Sequence, residues 1–231
     1  MRLPAIALFA ILVTNVAAAQ TAAPATLPYD HVHLAAPDQA KAVEWYQQMF
    51  GGVTTPEGKD RLLFGKTRFI WLKSDTAQPS ANTAIDHIAF SMENRQPGMI
   101  TDPWGVKIEI LNDPALRGFH HVHLRSTDPA ASLAWYKQRF GGEAARFNGA
   151  DGLKYGDVLV LVDRSATPPT PSVGHALDHI GWRVTDLTKT LADLAGIKVL
   201  QGPTELKLAT ATVHYSFVED PAGTKIELVQ R

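Results

Sequence analysis

The chain has 231 residues, of which 22 are lysine or arginine and 23 are aspartate or glutamate, giving a formal net charge of −1. Because it has no basic stripe and no run of like charges, there is no electrostatic basis for binding nucleic acid or an anionic membrane surface. The absence of cysteine excludes disulfides, thiolate metal ligands and a cysteine nucleophile. We therefore expect a small-molecule partner and, for any bound metal, nitrogen and oxygen ligands.

The first 19 residues have the pattern of a secretory signal peptide. Arg2 is followed by an apolar run over residues 3–16 and by three alanines that end at Ala19. The apolar run is shorter than the roughly 20 residues of a transmembrane helix, so no membrane span is expected. We predict cleavage near Ala19, a secreted or periplasmic location, and a flexible leader over residues 20–27.

The rest of the chain contains an internal repeat. Residues 29–52 and 119–142 are identical at half of their aligned positions. Two shorter segments, 84–90 and 102–111, recur at residues 176–182 and 220–229. Such self-similarity indicates duplicated structural units rather than one continuous domain.

The first copy predicts a strand, a helix and further strands in that order. His31 and His33 alternate with apolar residues, which is typical of a strand with one buried face. Asp38 is a suitable N-cap for a helix over residues 39–50, which Gly51 would end. Strands are predicted at residues 60–64 and 67–72.

The second copy repeats this course, with Asp128 before its helix, Gly141 after it and a strand at residues 158–162. Its aromatic residues at helical spacing, like those of the first copy, are expected in the core: Trp45, Tyr46, Trp135 and Tyr136. His120 is expected at the surface. Residues 112–118 are the predicted linker between the copies.

Two more units begin near residues 86 and 178, which makes four βαβββ units. The fourth has a predicted helix at residues 187–194 and strands near 198, 211–218 and 225–229. The second is shortened, because His87 and Glu109 are 22 positions apart whereas His179 and Glu227 are 48 apart. We expect the second unit to lack its helix and at least one strand.

Strand alternation places a recurring set of polar residues on one concave face. In the amino-terminal half this set is His31, His87 and Glu109. The corresponding set in the carboxy-terminal half is His121, His179 and Glu227. Two imidazoles and one carboxylate form the facial triad that binds divalent metals and leaves positions open for substrate. Because the shortened unit has lost a wall of its cleft, we expect the amino-terminal set to bind metal more weakly.

These motifs carry a family resemblance. The strand openings DHVHL, DHIAF, HHVHL and LDHIGW, the WYxxxFGG helix ends and the DPxGxKIEL closing strands resemble the vicinal oxygen chelate superfamily of glyoxalases, extradiol dioxygenases and bleomycin-resistance proteins. The resemblance implies an α+β fold of tandem βαβββ units in two glyoxalase-like modules, at residues 28–113 and 117–231, with curved mixed sheets around a cleft. It also implies that the two triads are metal ligands.

Several subfamily features are missing. Glyoxalase I has a fourth ligand, a glutamate in the last strand of its first unit, where this chain has Trp71 or Val162, with Asp163 nearby. Extradiol dioxygenases have a tyrosine about where Phe217 stands. Bleomycin binders typically lack the triad. The sequence therefore favours no single subfamily.

We interpret the chain as an exported metal-dependent enzyme, a lyase, isomerase or dioxygenase, that chelates vicinal oxygens of a small substrate on Fe, Mn, Zn, Ni or Co. His33 and His123 are candidates for a general base, and Lys225 for stabilising an anion. The alternative is a non-catalytic protein that binds or sequesters a small molecule. A homodimer stays open, because modules can pair within one chain or between two.

Overall fold

The structure is a computed structural model that describes residues 25–194, 196–208 and 210–231. The predicted signal peptide and most of the predicted leader lie outside the described residues. The described residues form fifteen strands and three helices. Of these helices, none is both long enough and apolar enough to cross a lipid bilayer.

The elements follow the four predicted units. The first unit consists of β1 (Tyr29–Ala36), α1 (Gln39–Phe50), β2 (Val53–Thr55), β3 (Gly58–Phe64) and β4 (Thr67–Lys73). The second consists of β5 (Ile85–Ser91), β6 (Gly98–Thr101) and β7 (Lys107–Leu111). The third consists of β8 (Gly118–Ser126), α2 (Pro129–Phe140), β9 (Glu143–Phe147), β10 (Ala150–Tyr155) and β11 (Val158–Arg164). The fourth consists of β12 (Leu177–Arg183), α3 (Leu187–Asp193), β13 (Lys198–Lys207), β14 (Thr212–Glu219) and β15 (Lys225–Gln230). The expected shortening of the second unit is confirmed.

Local sequence signals determine where the two long helices begin and end. The Asp38 side chain accepts a hydrogen bond from the backbone N–H of Lys41 at 3.1 Å, and Asp128 caps α2 in the same way. Gly51 and Gly141 follow the helices with φ of 76° and 73°, a conformation that side chains with a Cβ rarely adopt. The predicted starts and ends of both helices are confirmed.

The strands form two sheets, and each sheet combines non-consecutive units. One sheet has the order β13-β14-β15-β12-β1-β4-β3-β2, and the other has the order β6-β7-β5-β8-β11-β10-β9. The first unit therefore pairs with the fourth, through antiparallel β1 and β12, and the second pairs with the third, through antiparallel β5 and β8. The expectation that the first unit pairs with the second, and the third with the fourth, to form each cleft is wrong. The domain boundaries at residues 28–113 and 117–231 remain a prediction.

The two sheets share one hydrophobic core on their apolar faces. Phe69 on β4 lies 4.9 Å, ring to ring, from Phe119 on β8. Tyr46 and Tyr136 are fully buried, and the tryptophans that precede them pack against the core from partly buried positions. The predicted core role of these helical aromatics is confirmed, and the polar faces of both sheets are left free to carry the candidate ligands.

Candidate metal centres

Pairing of the first and fourth units brings together three histidines and one glutamate, which we call the first centre: His31, His33, His179 and Glu227. Oε2 of Glu227 lies 3.1 Å from Nε2 of His179, 3.3 Å from Nε2 of His31 and 3.8 Å from Nε2 of His33. His33 stacks on His179 at 4.1 Å between ring centroids. Strand alternation places both β1 histidines on this face, as the sequence predicts.

Each of the two innermost histidines of this centre is held by the aspartate that precedes it. Nδ1 of His31 lies 2.9 Å from Asp30, and Nδ1 of His179 lies 2.6 Å from Asp178. A carboxylate that accepts the Nδ1 proton directs the Nε2 lone pair toward the centre. Both Nε2 atoms are therefore oriented as metal ligands. Asp30 is fixed in turn by Arg183 and Arg231, at 2.6 and 2.8 Å.

Burial and mutual attraction set the charges in the first centre. Burial opposes ionisation of Glu227, but the imidazoles of His31 and His179 hold its pKa well below the usual range. Burial also disfavours the charged form of His31, yet Glu227 and Asp30 raise its pKa to about 9. Burial and the neighbouring histidines lower the pKa of His33 well below its usual value, so this ring is neutral at neutral pH.

Pairing of the second and third units forms a second centre: His87, Glu109, His121 and His123. Oε2 of Glu109 lies 3.3 Å from Nε2 of His121 and 3.6 Å from Nε2 of His87. Nε2 of His123 lies 3.1 Å from Oδ2 of Asp163. Asp86 accepts from Nδ1 of His87 at 2.8 Å, as the aspartates of the first centre do.

A different partner supports His121. His120 is fully buried, contrary to the expected surface position. Its Nε2 lies 3.2 Å from Asp113, and its Nδ1 lies 2.9 Å from Nδ1 of His121. When Nε2–H of His120 donates a hydrogen bond to Asp113, Nδ1 of the neutral His120 ring can accept a hydrogen bond from Nδ1–H of His121. The Nε2 lone pair of His121 is then directed toward Glu109, as at the first centre.

The predicted composition of the two triads is wrong, although all six predicted ligands lie at a centre. His31 meets His179 and Glu227, and the remaining three, His87, Glu109 and His121, meet one another. The reason is sheet pairing: β1 lies beside β12 of the fourth unit, not beside β5 of the second. Alternation along a strand identifies the face of a residue but not the neighbouring strand.

Strand register also corrects the expected place of the fourth glyoxalase ligand. Glu227 lies opposite Gly181, two residues beyond His179. The same register places Ile70 on β4 opposite His33, which lies two residues beyond His31. It likewise places Leu161 on β11 opposite His123, two residues beyond His121. Apolar residues therefore occupy both positions, and Trp71 and Val162 point into the core.

The first centre opens into a cavity of about 310 Å³. Ile70 and Leu72 on β4 form one side, and Val213, Tyr215 and Phe217 on β14 form the other. His33, His179 and Glu227 also reach this cavity. The ring of Phe217 lies 4.9 Å from that of His179. An apolar chamber thus adjoins the polar cluster.

Three cations line the same cavity, each beside a carboxylate. Lys225 donates to Asp178 at 2.9 Å and lies 4.1 Å from the Phe217 ring centroid. Arg61 pairs with Asp60 at 2.9 Å, and Arg231 pairs with Asp30. The sequence predicted only Lys225 here. Arg61 and Arg231 have no motif around them, whereas the aspartates at the centres are signalled by the Asp-His pairs in the strand openings.

The donor sets fit a divalent metal. Nε2 of His31 and Nε2 of His121 are buried and have no hydrogen bond of good geometry to any described residue. Metal–ligand bonds of 2.0–2.2 Å at tetrahedral angles place donor atoms about 3.3–3.6 Å apart. The separations of 3.3 and 3.6 Å at Glu109 and of 3.3 Å between Glu227 and His31 match this spacing, and the 3.1 Å between Glu227 and His179 is slightly shorter.

The comparisons with known proteins agree with this geometry. Residues 118–228 match the family model of the Glyoxalase/Bleomycin resistance protein/Dioxygenase superfamily. This part of the chain belongs to that superfamily. The resemblance stated from the sequence is confirmed, and no curated protein sequence matches the chain.

Solved structures extend the likeness in fold to nearly the whole chain. Glyoxalase I from Zea mays has a TM-score of 0.68 at 19% identity, covering 89% of this chain and 92% of that one. A putative dioxygenase from Bacillus subtilis subsp. subtilis str. 168 has a TM-score of 0.60 at 14% identity, covering 89% and 85%. At such identities these neighbours show the fold alone, and the reaction must be argued from the site.

Proposed function

We propose that the protein is an exported, metal-dependent enzyme whose working site is the first centre, where a small substrate binds a divalent metal through two adjacent oxygens. The observation that carries this proposal is the convergence of His31, His179 and Glu227 at a cavity of about 310 Å³. A bound metal would act as a Lewis acid on the substrate oxygens. The chain's own residues must then orient the substrate, exclude water and move protons.

His33 has the geometry of a general base. Its Nε2 lies 3.8 Å from Glu227, and its ring faces the cavity, whereas His31 is fully buried behind it. A neutral imidazole at that place can accept a proton from a bound hydroxyl or carbon acid. Lys225, beside Asp178 in the cavity wall, is placed to stabilise negative charge that develops on a substrate oxygen.

The cavity favours a compact substrate with an apolar body. Its volume is at the low end of ligand pockets, which hold about 300–1,000 Å³. Its sides are apolar or aromatic at seven positions: Ile70, Leu72, Leu206, Leu208, Val213, Tyr215 and Phe217. Each of its three cations already faces a carboxylate. A large polyanionic conjugate therefore finds neither room nor unpaired positive charge.

The chemistry divides between an oxygen-independent lyase or isomerase reaction and dioxygenation. Ile70 stands where strand register would place the fourth glyoxalase I ligand. Because its side chain cannot bind a metal, it argues against a standard glyoxalase I site. Phe217 lacks the hydroxyl expected of an extradiol dioxygenase, although Tyr215 in the same wall carries one. We therefore propose the metal centre and its base, and leave these two reactions to be distinguished by assay.

The test uses metal-free protein reloaded with one divalent metal at a time. Oxygen consumption with a catechol would identify dioxygenation, and oxygen-independent conversion of an α-oxo or α-hydroxy carbonyl compound would identify a lyase or isomerase. Glu227→Gln should abolish metal-dependent turnover, and the matched variant Glu109→Gln should retain it. Turnover that survives in Glu227→Gln would contradict the proposal. Tight ligand binding without turnover would support the sequestration alternative.

A further inference from the structure

The second centre differs from the first by one additional carboxylate. Asp163 on β11 lies opposite Arg125 on β8, and Arg125 lies two residues beyond His123. Oδ2 of Asp163 lies 3.1 Å from Nε2 of His123. The corresponding position on β4, two residues beyond Ile70, is Leu72, which lines the cavity of the first centre. The second centre therefore has a charged oxygen donor where the first has an apolar wall.

Three ring nitrogens of the second centre lack a well-oriented hydrogen bond, although two of them lie close to carboxylates, with Nε2 of His123 3.1 Å from Asp163 and Nε2 of His121 3.3 Å from Glu109. Both ring nitrogens of His123 and Nε2 of His121 are buried and have no hydrogen bond of good geometry to any described residue. Buried polar atoms without partners cost about 1–3 kcal/mol each. One ligand atom of each of His87, His121 and His123 lies within 4.8 Å of the others. Such a group is stabilised by a cation placed between the rings.

The cavity beside the second centre differs from the chamber of the first: Glu109 and Phe147 line a space of about 450 Å³ that none of the three histidines reaches. Phe217 on β14 lies opposite Glu227 and forms part of the chamber wall. The strand in the equivalent place is β6, a four-residue edge strand on which Met99 lies opposite Glu109 with 49% of its surface exposed. The wall that is missing because the second unit is shortened is thus a wall of the second centre, not of the first centre, which contains His31.

We infer that the second centre is a closed, structural site for a divalent transition metal of the zinc type, with Asp163 in the coordination position that the first centre leaves to substrate. The three imidazoles form one group, with Glu109 close to His87 and His121 and with Asp163 close to His123. Such nitrogen and oxygen donors suit zinc, cobalt or nickel. A site filled by protein ligands stabilises a fold instead of activating a substrate. The inference concerns residues of the second and third units alone and does not need the proposed enzyme activity.

Cobalt provides a direct test, because its visible spectrum reports coordination. Metal-free wild type, His179→Ala and His121→Ala are each loaded with Co²⁺, and the number of bound ions per chain is measured. We expect two ions in the wild type and one in each variant. Azide should change the spectrum of His121→Ala, which keeps the open first centre, and should leave the spectrum of His179→Ala unchanged.

Asp163→Leu is the decisive variant, because it gives the second centre the apolar residue that Leu72 supplies at the first. Asp163 is half exposed, so the substitution should leave the fold intact by circular dichroism. In the His179→Ala background it should speed release of Co²⁺ to a chelating dye at least about tenfold and make the spectrum sensitive to azide.

Four results would overturn the inference. One ion per wild-type chain, lost in His179→Ala, would mean that only the first centre binds metal, and the proposed function would survive. An azide response in His179→Ala would mean that the second centre is open. Unchanged release from Asp163→Leu would remove Asp163 from the site. Absence of cobalt from both centres would refute the proposed function as well.

Discussion

The contact between Gly181 and His31 provides a sharp test of the first centre. These residues face each other across the β1–β12 pair. A Cβ added at Gly181 would overlap Cε1 and Nε2 of the His31 ring and lie 2.7 Å from Nδ1. The φ of Gly181 is not among the positive values, so alanine would cause no backbone strain. Gly181→Ala should act only by displacing the imidazole.

The displacement is large compared with what a metal site tolerates. Non-bonded carbon atoms prefer separations of about 3.5–4.0 Å, so the His31 ring or its strand must move by more than about 1 Å. Metal–ligand distances vary by only about 0.2 Å. We expect metal affinity at the first centre to fall at least about 10–100-fold, and the free energy of unfolding to fall by about 1–3 kcal/mol from overpacking.

Competition with a chelating dye measures the affinity, and urea denaturation measures the stability. Ala89 is the matched control, because it lies opposite His121 as Gly181 lies opposite His31, and it already carries a methyl group. Ala89→Gly should leave the first centre unchanged. Unaltered metal affinity in Gly181→Ala would refute the assignment of His31 as a ligand.

Three further predictions follow from the surroundings of the centres. In metal-free protein the raised pKa of His31, about 9 against 6.5 when unfolded, gives a stabilisation that is complete below pH 6.5 and lost as the pH rises through 9. Urea denaturation should show a fall of about 3 kcal/mol, and a flat profile would contradict it. Asp30→Asn should weaken metal binding about 10–100-fold by dye competition, whereas loss confined to the second centre would contradict the pairing with His31. Tyr136→Phe removes a 2.8 Å hydrogen bond to buried Asp220 and should lower the free energy of unfolding by about 1–3 kcal/mol; no change would show that the carboxylate finds another donor.

Much of the local structure could be predicted from sequence, because it depends on neighbours along the chain. Asp38 and Gly51 mark the ends of α1 through hydrogen bonds and backbone conformations that involve only a few residues. Alternation along β1 likewise places His31 and His33 on one face, since successive strand residues point to opposite sides. The ligand residue types could be identified for the same reason.

The partners of those ligands could not be predicted, because sheet order depends on contacts between distant segments. His31 and Glu227 are 196 positions apart in the chain yet lie 3.3 Å apart, and no local pattern distinguishes β12 from β5 as the neighbour of β1. The buried place of His120 was missed for a similar reason. Its partner, Asp113, lies in the predicted linker, where a polar side chain is expected at the surface. No sequence pattern there indicates a contact with His120.

The most direct test of the central claim is anomalous diffraction from crystals of the metal-loaded protein, recorded at the absorption edge of the bound ion. We expect a peak within about 2.0–2.2 Å of Nε2 of His31, Nε2 of His179 and a carboxylate oxygen of Glu227. A peak coordinated instead by His31, His87 and Glu109, or no peak between β1 and β12 under conditions in which the protein turns over substrate, would contradict the account.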